Sequence, residues 1–241
     1  MAPRTSADLL RWGGDRLRFG PWRGDADVAY ISPVPETTPP SSAAVRRCCT
    51  VLRERGYREV VTAALAAAEA SAFVAAGFTV RERLHLLAHE MRSIPEPSPT
   101  SDEVTLRRAR RNDRDSALAV DARSFDPFWR LDSAGLDDAI KATPSSRFRV
   151  IESSRGVIGY AVSGRAGSRG FLQRLAVDPD ERGRGWGTAL VVDGLRWMKR
   201  RGAARAMVNT QERNADALRL YQDLGFHLQP GGLAVLHASL A

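Results

Sequence analysis

Apolar positions along the chain switch between two periods. Over 188–201, Val191, Leu195 and Met198 recur at helical spacing and line one face. Over 215–224 the helical pattern returns between Asn214, a good N-cap type, and Gly225, which suits the position just past a helix end. Alternating or continuous apolar runs predict strands at 104–110, 148–152, 157–163, 171–177, 206–210 and 232–238, with Arg155-Gly156 turning the second into the third. A helix starting at Asp113 or Asp115 runs through 117–125 and meets the aromatic break Phe125-Asp-Pro-Phe-Trp-Arg-Leu131. A short helix over 136–142 stops at Pro144. The order in this half is strand, two helices, three strands, helix, strand, helix, strand.

The first half reads as a worn copy of the later part of the second. A strand within 57–65, a helix reaching Phe73 and Gly77-Phe78, and a strand over 79–91 parallel residues 205–240. Phe73 stands opposite Tyr221, and Gly77-Phe78 opposite Gly225-Phe226. Upstream, Ile31-Ser-Pro33 stands opposite Val177-Asp-Pro179, and a helix over 43–55 opposite 189–201. Between the halves, Pro95-Glu-Pro-Ser-Pro-Thr-Ser-Asp102 has the composition of an extended linker. The predicted organisation is a partial, degenerate domain over 1–94, a Pro-rich linker over 95–103 and a second domain over 104–241.

The stretch from Leu172 to Leu190 carries the most chemistry. It predicts a buried strand, a tight basic turn and a helix start. Gly183, Gly185 and Gly187 let the backbone approach a bulky anion, and their N–H groups with the helix start would cradle a phosphate. Two other cradles are excluded: no lysine completes a nucleoside-triphosphate loop, and the spacing is not G-x-G-x-x-G. Asn214 and Tyr221 lie seven residues apart, so they share a helical face and sit about 10 Å apart along it.

These motifs resemble those of the GCN5-related N-acetyltransferase (GNAT) superfamily. The family's loop, Arg/Gln-x-x-Gly-x-Gly/Ala, is matched by Arg182-Gly-Arg-Gly185-Trp-Gly187. The strand end Val-x-Pro is matched by Val177-Asp-Pro179, and the later helix pattern by Asn214, Ala217, Leu220, Tyr221, Gly225 and Phe226. The resemblance covers about 104 to the C-terminus. It implies an α/β (α+β) GNAT fold, a mixed and mostly antiparallel central sheet flanked by helices, with a partial GNAT-like first half as in tandem members. It also implies acetyl-CoA as co-substrate and N-acetyl transfer to a primary amine by direct attack in a ternary complex. The acceptor could be a protein N-terminus, a lysine or a small amine, and the motifs look nearest to the ribosomal-protein N-terminal acetyltransferases.

By the same resemblance, Leu175, Ala176 and Val177 pair with the pantetheine arm. Arg182, Gly183, Arg184, Gly185, Trp186, Gly187 and Thr188 hold the pyrophosphate, mostly through backbone N–H groups. Asn214 contacts the coenzyme, and Tyr221 protonates the departing thiolate. The aromatic break at Phe125–Trp129 falls where the family shapes its acceptor pocket. N-terminal acetyltransferases often place a Glu where this chain has Asn209, so the base is open among Asp126, Gln173, Asp178 and a held water. The rival class is an acyl-CoA-binding regulatory protein with little turnover. In the first half Glu36, Pro39 and Pro40 occupy the cradle position, where donors and positive charge are needed, so no coenzyme is expected there.

Composition narrows the remainder. The 241 residues are 43% hydrophobic, with no run of 18 apolar residues and no apolar core near Met1, so neither a membrane span nor a signal is expected, and a cytoplasmic location is. Cys48 and Cys49 are adjacent and read as small apolar helix residues. His85 and His89 lie in an apolar run without the Glu of a zinc-protease pattern, so no metal is expected. The net charge of +8 permits an anionic partner, but all except Lys141 and Lys199 of the 36 basic residues are Arg and no nucleic-acid motif accompanies them. A small polyanion fits better than a nucleic acid.

Overall fold

A computed structural model describes residues 8–34, 38–96 and 104–240. The predicted role of Glu36 and most of the predicted linker, 97–103, lie outside the described residues. In chain order the elements are β1 (Asp8–Trp12), β2 (Asp15–Pro21), β3 (Val28–Pro33), α1 (Ser42–Glu54), β4 (Glu59–Thr62), α2 (Ala67–Val74) and β5 (Thr79–His89). There follow β6 (Thr105–Arg108), α3 (Arg114–Ser124), α4 (Ser133–Lys141), β7 (Ser145–Ser153), β8 (Gly156–Ala166) and β9 (Arg169–Val177). The last are α5 (Trp186–Arg200), β10 (Arg205–Gln211), α6 (Ala215–Asp223), β11 (His227–Leu228) and β12 (Leu233–Ser239). No helix among the described residues is long and apolar enough to cross a membrane.

Contacts divide the chain into two compact units: Met1–Leu86 with Asn209–Arg213 and Gln229–Ala241, and Leu87–Val208 with Asn214–Leu228. The sequence pattern placed one boundary in the Pro-rich stretch. The structure instead exchanges strands. β12, last in the chain, pairs antiparallel with β4 and β5 in the first unit. The far end of β5 pairs with β11 in the second, His227 opposite Ala88 and Leu228 opposite Leu87.

In the first unit the strand order is β1-β2-β3-β4-β12-β5. The β1–β2 hairpin, which the apolar pattern did not predict, turns at Gly13-Gly14 with Trp12 opposite Asp15. β3 and β4 are parallel and joined through α1, whose N-cap Ser41 accepts a hydrogen bond from the Ala44 amide at 3.2 Å. Leu17, Ile31, Val45, Leu52, Val60, Phe73 and Leu236 form the core. Cys48 and Cys49 belong to α1, and burial pushes their thiols up to about 12 and about 11, so they sit protonated as apolar packing groups.

In the second unit the order is β10-β9-β8-β7-β6, antiparallel except for β9 with β10. α5 buries Val191, Leu195 and Met198, as its apolar stripe predicts, in a cluster with Tyr221 and Phe226. Leu87 and Met91 enter the same cluster, so the end of β5 is part of this core. At the edge, Arg107 of β6 binds Asp113 through two nitrogens at 2.7 and 2.8 Å and Glu152 through two at 2.6 and 2.9 Å. This ties β6 to β7 and to the turn that starts α3.

The Arg107 hydrogen bonds hold the Asp113 carboxyl at about 2, below its ordinary 3.8. A depressed carboxylate stabilises the fold above its unfolded value and loses that contribution as pH falls through its folded value. Asp113→Asn is therefore expected to cost about 2 kcal/mol at neutral pH, and the gap to the unaltered protein to close between about pH 4 and pH 2. Urea unfolding across that range checks it; a pH-independent gap would remove the ion pair as the cause.

Candidate active site

The site begins with a strand pair that parts. β9 and β10 are in register only at Arg169–Arg205, Gly170–Ala206 and Phe171–Met207, although β9 runs on to Val177. From Leu172 to Val177 one edge of β9 has no partner strand among the described residues. On its other edge β9 pairs with β8, and the register shifts between Val162 and Ser163, leaving Gln173 as an extra residue. The free edge includes Leu175, Ala176 and Val177, of which Ala176 is buried and the others half-buried. Their peptide groups offer hydrogen bonds to an extended ligand, as an edge strand offers them to another strand.

After β9 the chain makes a short turn at Pro179–Glu181 and enters the glycine-rich loop. Gly183 has φ 76° and Gly185 φ 83°, both in the left-handed region, where a side chain is strained. Gly185 caps α5, and the first helical bond runs from the Ala189 amide to its carbonyl at 3.0 Å. The amides of Trp186, Gly187 and Thr188 thus lack intrahelical acceptors and point out of the helix start. No acidic residue occupies the first turn, so the positive end of α5 is unopposed there. The Trp186 Nε1–H is buried with no partner among the described residues. Gly187 has another role: a Cβ there would meet Leu220 of α6 at 3.1 Å.

The loop's arginines are already engaged. Arg184 pairs with Glu181 at 2.9 Å, and Arg182 reaches the Ser124 carbonyl at 3.5 Å. The anion donors are therefore chiefly backbone. In α6, Asn214 accepts from the Ala217 amide at 3.1 Å, and Gly225, with φ 85°, ends the helix. The Asn214 oxygen is used by the cap, so a ligand would meet its amide nitrogen. Tyr221 is 6% exposed, its ring 5.5 Å from that of Phe226, and burial pushes its phenol up to about 12.

Among the base candidates, Asp178 is committed elsewhere: it accepts from the Asp180 amide at 3.0 Å and pairs with Arg123 at 2.7 Å. Asp126 and Asn209 are exposed. Gln173 donates to Thr143 at 3.4 Å and keeps a buried oxygen without a partner among the described residues, but an amide is no proton acceptor. No cluster of His, Cys, Asp and Glu among the described residues is placed to hold a metal.

One constellation escaped the sequence reading. Asp121 of α3 is fully buried and accepts from Arg174 of β9 at 2.7 and 2.8 Å, from the Tyr160 hydroxyl and from the Leu131 amide at 2.8 Å. Arg174 also donates to the Trp129 carbonyl at 2.6 Å and lies 3.5 Å over the Phe125 ring. This clamp pins both ends of the aromatic break against β9. The available signal was a lone Asp in the apolar stretch of one predicted helix and a lone Arg in the apolar run of one predicted strand, since buried charges need each other. Asp121→Ala would strand the Arg174 guanidinium and is expected to cost about 3–5 kcal/mol. Urea unfolding checks this; a loss below about 1 kcal/mol would show that the arginine finds water or another partner.

With this geometry in hand, the chain can be set beside known proteins. Residues 111–226 match the acetyltransferase (GNAT) family model. The mycothiol acetyltransferase of Thermobispora bispora is 28% identical over 250 residues, covering 93% of this chain and 81% of that protein. That of Saccharomonospora viridis is 32% identical over 133 residues, covering 47% of this chain but only 42% of the relative, so this match spans less than half of its length. Among solved structures, a tandem GNAT protein from the clavulanic acid biosynthesis pathway aligns over 100% of this chain and 85% of its own, with a TM-score of 0.71 at 13% identity, a likeness of fold. The family match spans the parted strands, the loop and α6, and the fold is that of GNAT proteins.

Proposed function

We propose that this protein is an acetyl-CoA-dependent N-acetyltransferase whose acceptor is a primary amine on a small molecule. The observation that carries the reading is the free edge of β9 from Leu172 to Val177, followed in the chain by the open amides at the start of α5. An extended arm ending in a pyrophosphate matches that pair of features. The left-handed glycines fit the same ligand.

Acetyl-CoA supplies an activated thioester. The acceptor nitrogen attacks the thioester carbonyl carbon, so a C–N bond forms and the C–S bond breaks. Tyr221 gives its phenolic proton to the leaving thiolate. With a pKa near 12 the phenol is fully protonated at neutral pH, as a proton donor must be. The amine proton passes to water, and solvent restores the phenol. Asp178 is held by Arg123 and by the Asp180 amide, which suits an amine that arrives neutral or sheds its proton to a held water.

The name of the sequence relatives supports a mycothiol-type acceptor. The motif resemblance to ribosomal-protein N-terminal acetyltransferases supports a second reading, a protein N-terminus, but Asn209 stands where those enzymes often carry Glu. In the first unit, β3 stays paired with β4 through Val28–Ile31 and Glu59–Thr62, and Ala63 donates to Ile31 at 3.1 Å. Phe73 is fully buried there in the place of Tyr221. That unit lacks both the parted edge and the phenol, so one coenzyme per chain is proposed.

Two substitutions separate binding from chemistry. Gly185→Glu puts a side chain on a left-handed residue and a negative charge at the helix start. It is expected to abolish coenzyme A binding in calorimetry with the circular dichroism spectrum retained; wild-type affinity would sink the cradle. The titration of unaltered protein should saturate at one coenzyme, and two would refute the degenerate first unit. Tyr221→Phe is expected to leave coenzyme affinity within about twofold and lower kcat by about 10²–10⁴. An unchanged kcat in a thiol-release assay would make Tyr221 a packing residue, and no turnover with any amine in the unaltered protein would favour a coenzyme-binding regulator.

A further inference from the structure

The second unit has a cavity that the acyl-transfer reading does not use. It measures about 440 Å³ and lies where β6, the turn before α3, α4, β7 and the C-terminal end of α5 meet. Six arginines line it: Arg108, Arg110, Arg111, Arg114, Arg147 and Arg201. No acidic residue among the described residues lines it. Its apolar wall is Ala109, Ile140, Phe148 and Trp197. Arg201 follows α5 directly, fifteen residues beyond Trp186, so the cavity is about 22 Å along the helix from the glycine loop.

The carboxylates nearby are already taken. Asp113 and Glu152 bind Arg107, Asp137 binds Arg114, and Asp193 binds Arg147 at 2.8 and 3.0 Å and Arg149 at 3.4 Å. Arg108, Arg110, Arg111 and Arg201 make no side-chain hydrogen bond or ion pair among the described residues; Arg201 lies 5.9 Å from the Trp197 ring. Four exposed arginines without an ion pair of their own therefore line one concavity. Their mutual repulsion raises the local positive potential, and a bound polyanion would relieve it. Guanidinium forks match phosphate oxygens two at a time. The volume is in the range of small-ligand sites. A concavity of this size suits a small molecule, where a nucleic-acid duplex would present a long convex backbone.

We propose that this arginine cavity binds a second anionic ligand, a small organic polyphosphate of nucleotide type, with its phosphates on Arg108, Arg110, Arg111 and Arg201 and its ring on the Phe148–Trp197 wall. The proposal is independent of the acyl-transfer reading, because the two sites share no residue.

The test is calorimetric titration of the full chain with ATP, without divalent metal, before and after saturation with coenzyme A. Inorganic triphosphate and adenosine are the two control probes. ATP is expected to bind one per chain under both conditions, triphosphate more weakly and adenosine not measurably. The double substitution Arg111→Glu with Arg201→Glu, both residues exposed, is expected to weaken ATP binding at least about tenfold and to leave coenzyme A binding unchanged. Gly185→Glu is expected to do the reverse. If coenzyme A fails to bind at all, the acyl-transfer reading falls, while the dependence of ATP binding on Arg111 and Arg201 still decides this one. Absence of ATP binding, ATP binding that coenzyme A displaces, or binding indifferent to the double substitution would each overturn it. So would a short DNA duplex that binds more tightly than ATP with the same arginine dependence, which would make the face a nucleic-acid surface.

Discussion

The parting of β9 from β10 after three paired residues is the constraint on which the site depends. A strand inside a sheet normally satisfies both of its edges, and an unpaired edge at the heart of a domain must be met by water or by a ligand. β9 keeps its β8 partner on both sides of Gln173, which holds a row of peptide groups along the gap. The extra residue at Gln173 changes which side chains face each way partway along that row. In the first unit the corresponding parallel pair stays closed, and no such row is exposed. The two parallel pairs thus differ in backbone pairing before they differ in side chains.

Charge is organised around that gap in two ways. On the α3 side a buried ion pair, Asp121 with Arg174, is completed by Tyr160 and by backbone groups of the aromatic break. Such a pair contributes little net stability, because desolvation cancels much of the attraction, but it specifies one arrangement of its surroundings as long as both partners remain. On the loop side, Glu181 draws Arg184 away from the helix start, and the amides are left as the donors. An arrangement of rigid peptide dipoles needs little reorganisation when an anion arrives. Most of the arginine surplus falls elsewhere, and part of it gathers at the opposite end of α5.

The local geometry of the loop and of α6 was legible in the chain. Gly183 and Gly185 adopt the left-handed backbone that a tight loop demands, Asn214 caps α6, Gly225 ends it, and Tyr221 follows Asn214 by seven residues on a helix that exists. Each of these depends on residues within a few positions of one another. The family resemblance, and with it the GNAT fold, rested on the same local features. The boundary between halves was less legible. Apolar runs at 79–91 and 232–238 announce strands but carry no label for the strands they will join, and the structure gives the second run, and the end of the first from Leu87, to the unit built chiefly from the other half.

What the sequence alone determined is what short-range physics decides: where helices start and stop, which faces are apolar, where glycine is required, and the order of most elements. What only the tertiary structure decided are the relations between distant residues. These are the Asp121–Arg174 pair, 53 residues apart, the Leu236–Thr62 contact, 174 apart, and the end of β9–β10 pairing at Phe171. Helical caps and turns are satisfied by their own neighbours in sequence, so composition and spacing reveal them. A strand edge or a buried charge is satisfied by whatever the folded chain brings beside it, and that partner is chosen by packing over the whole domain.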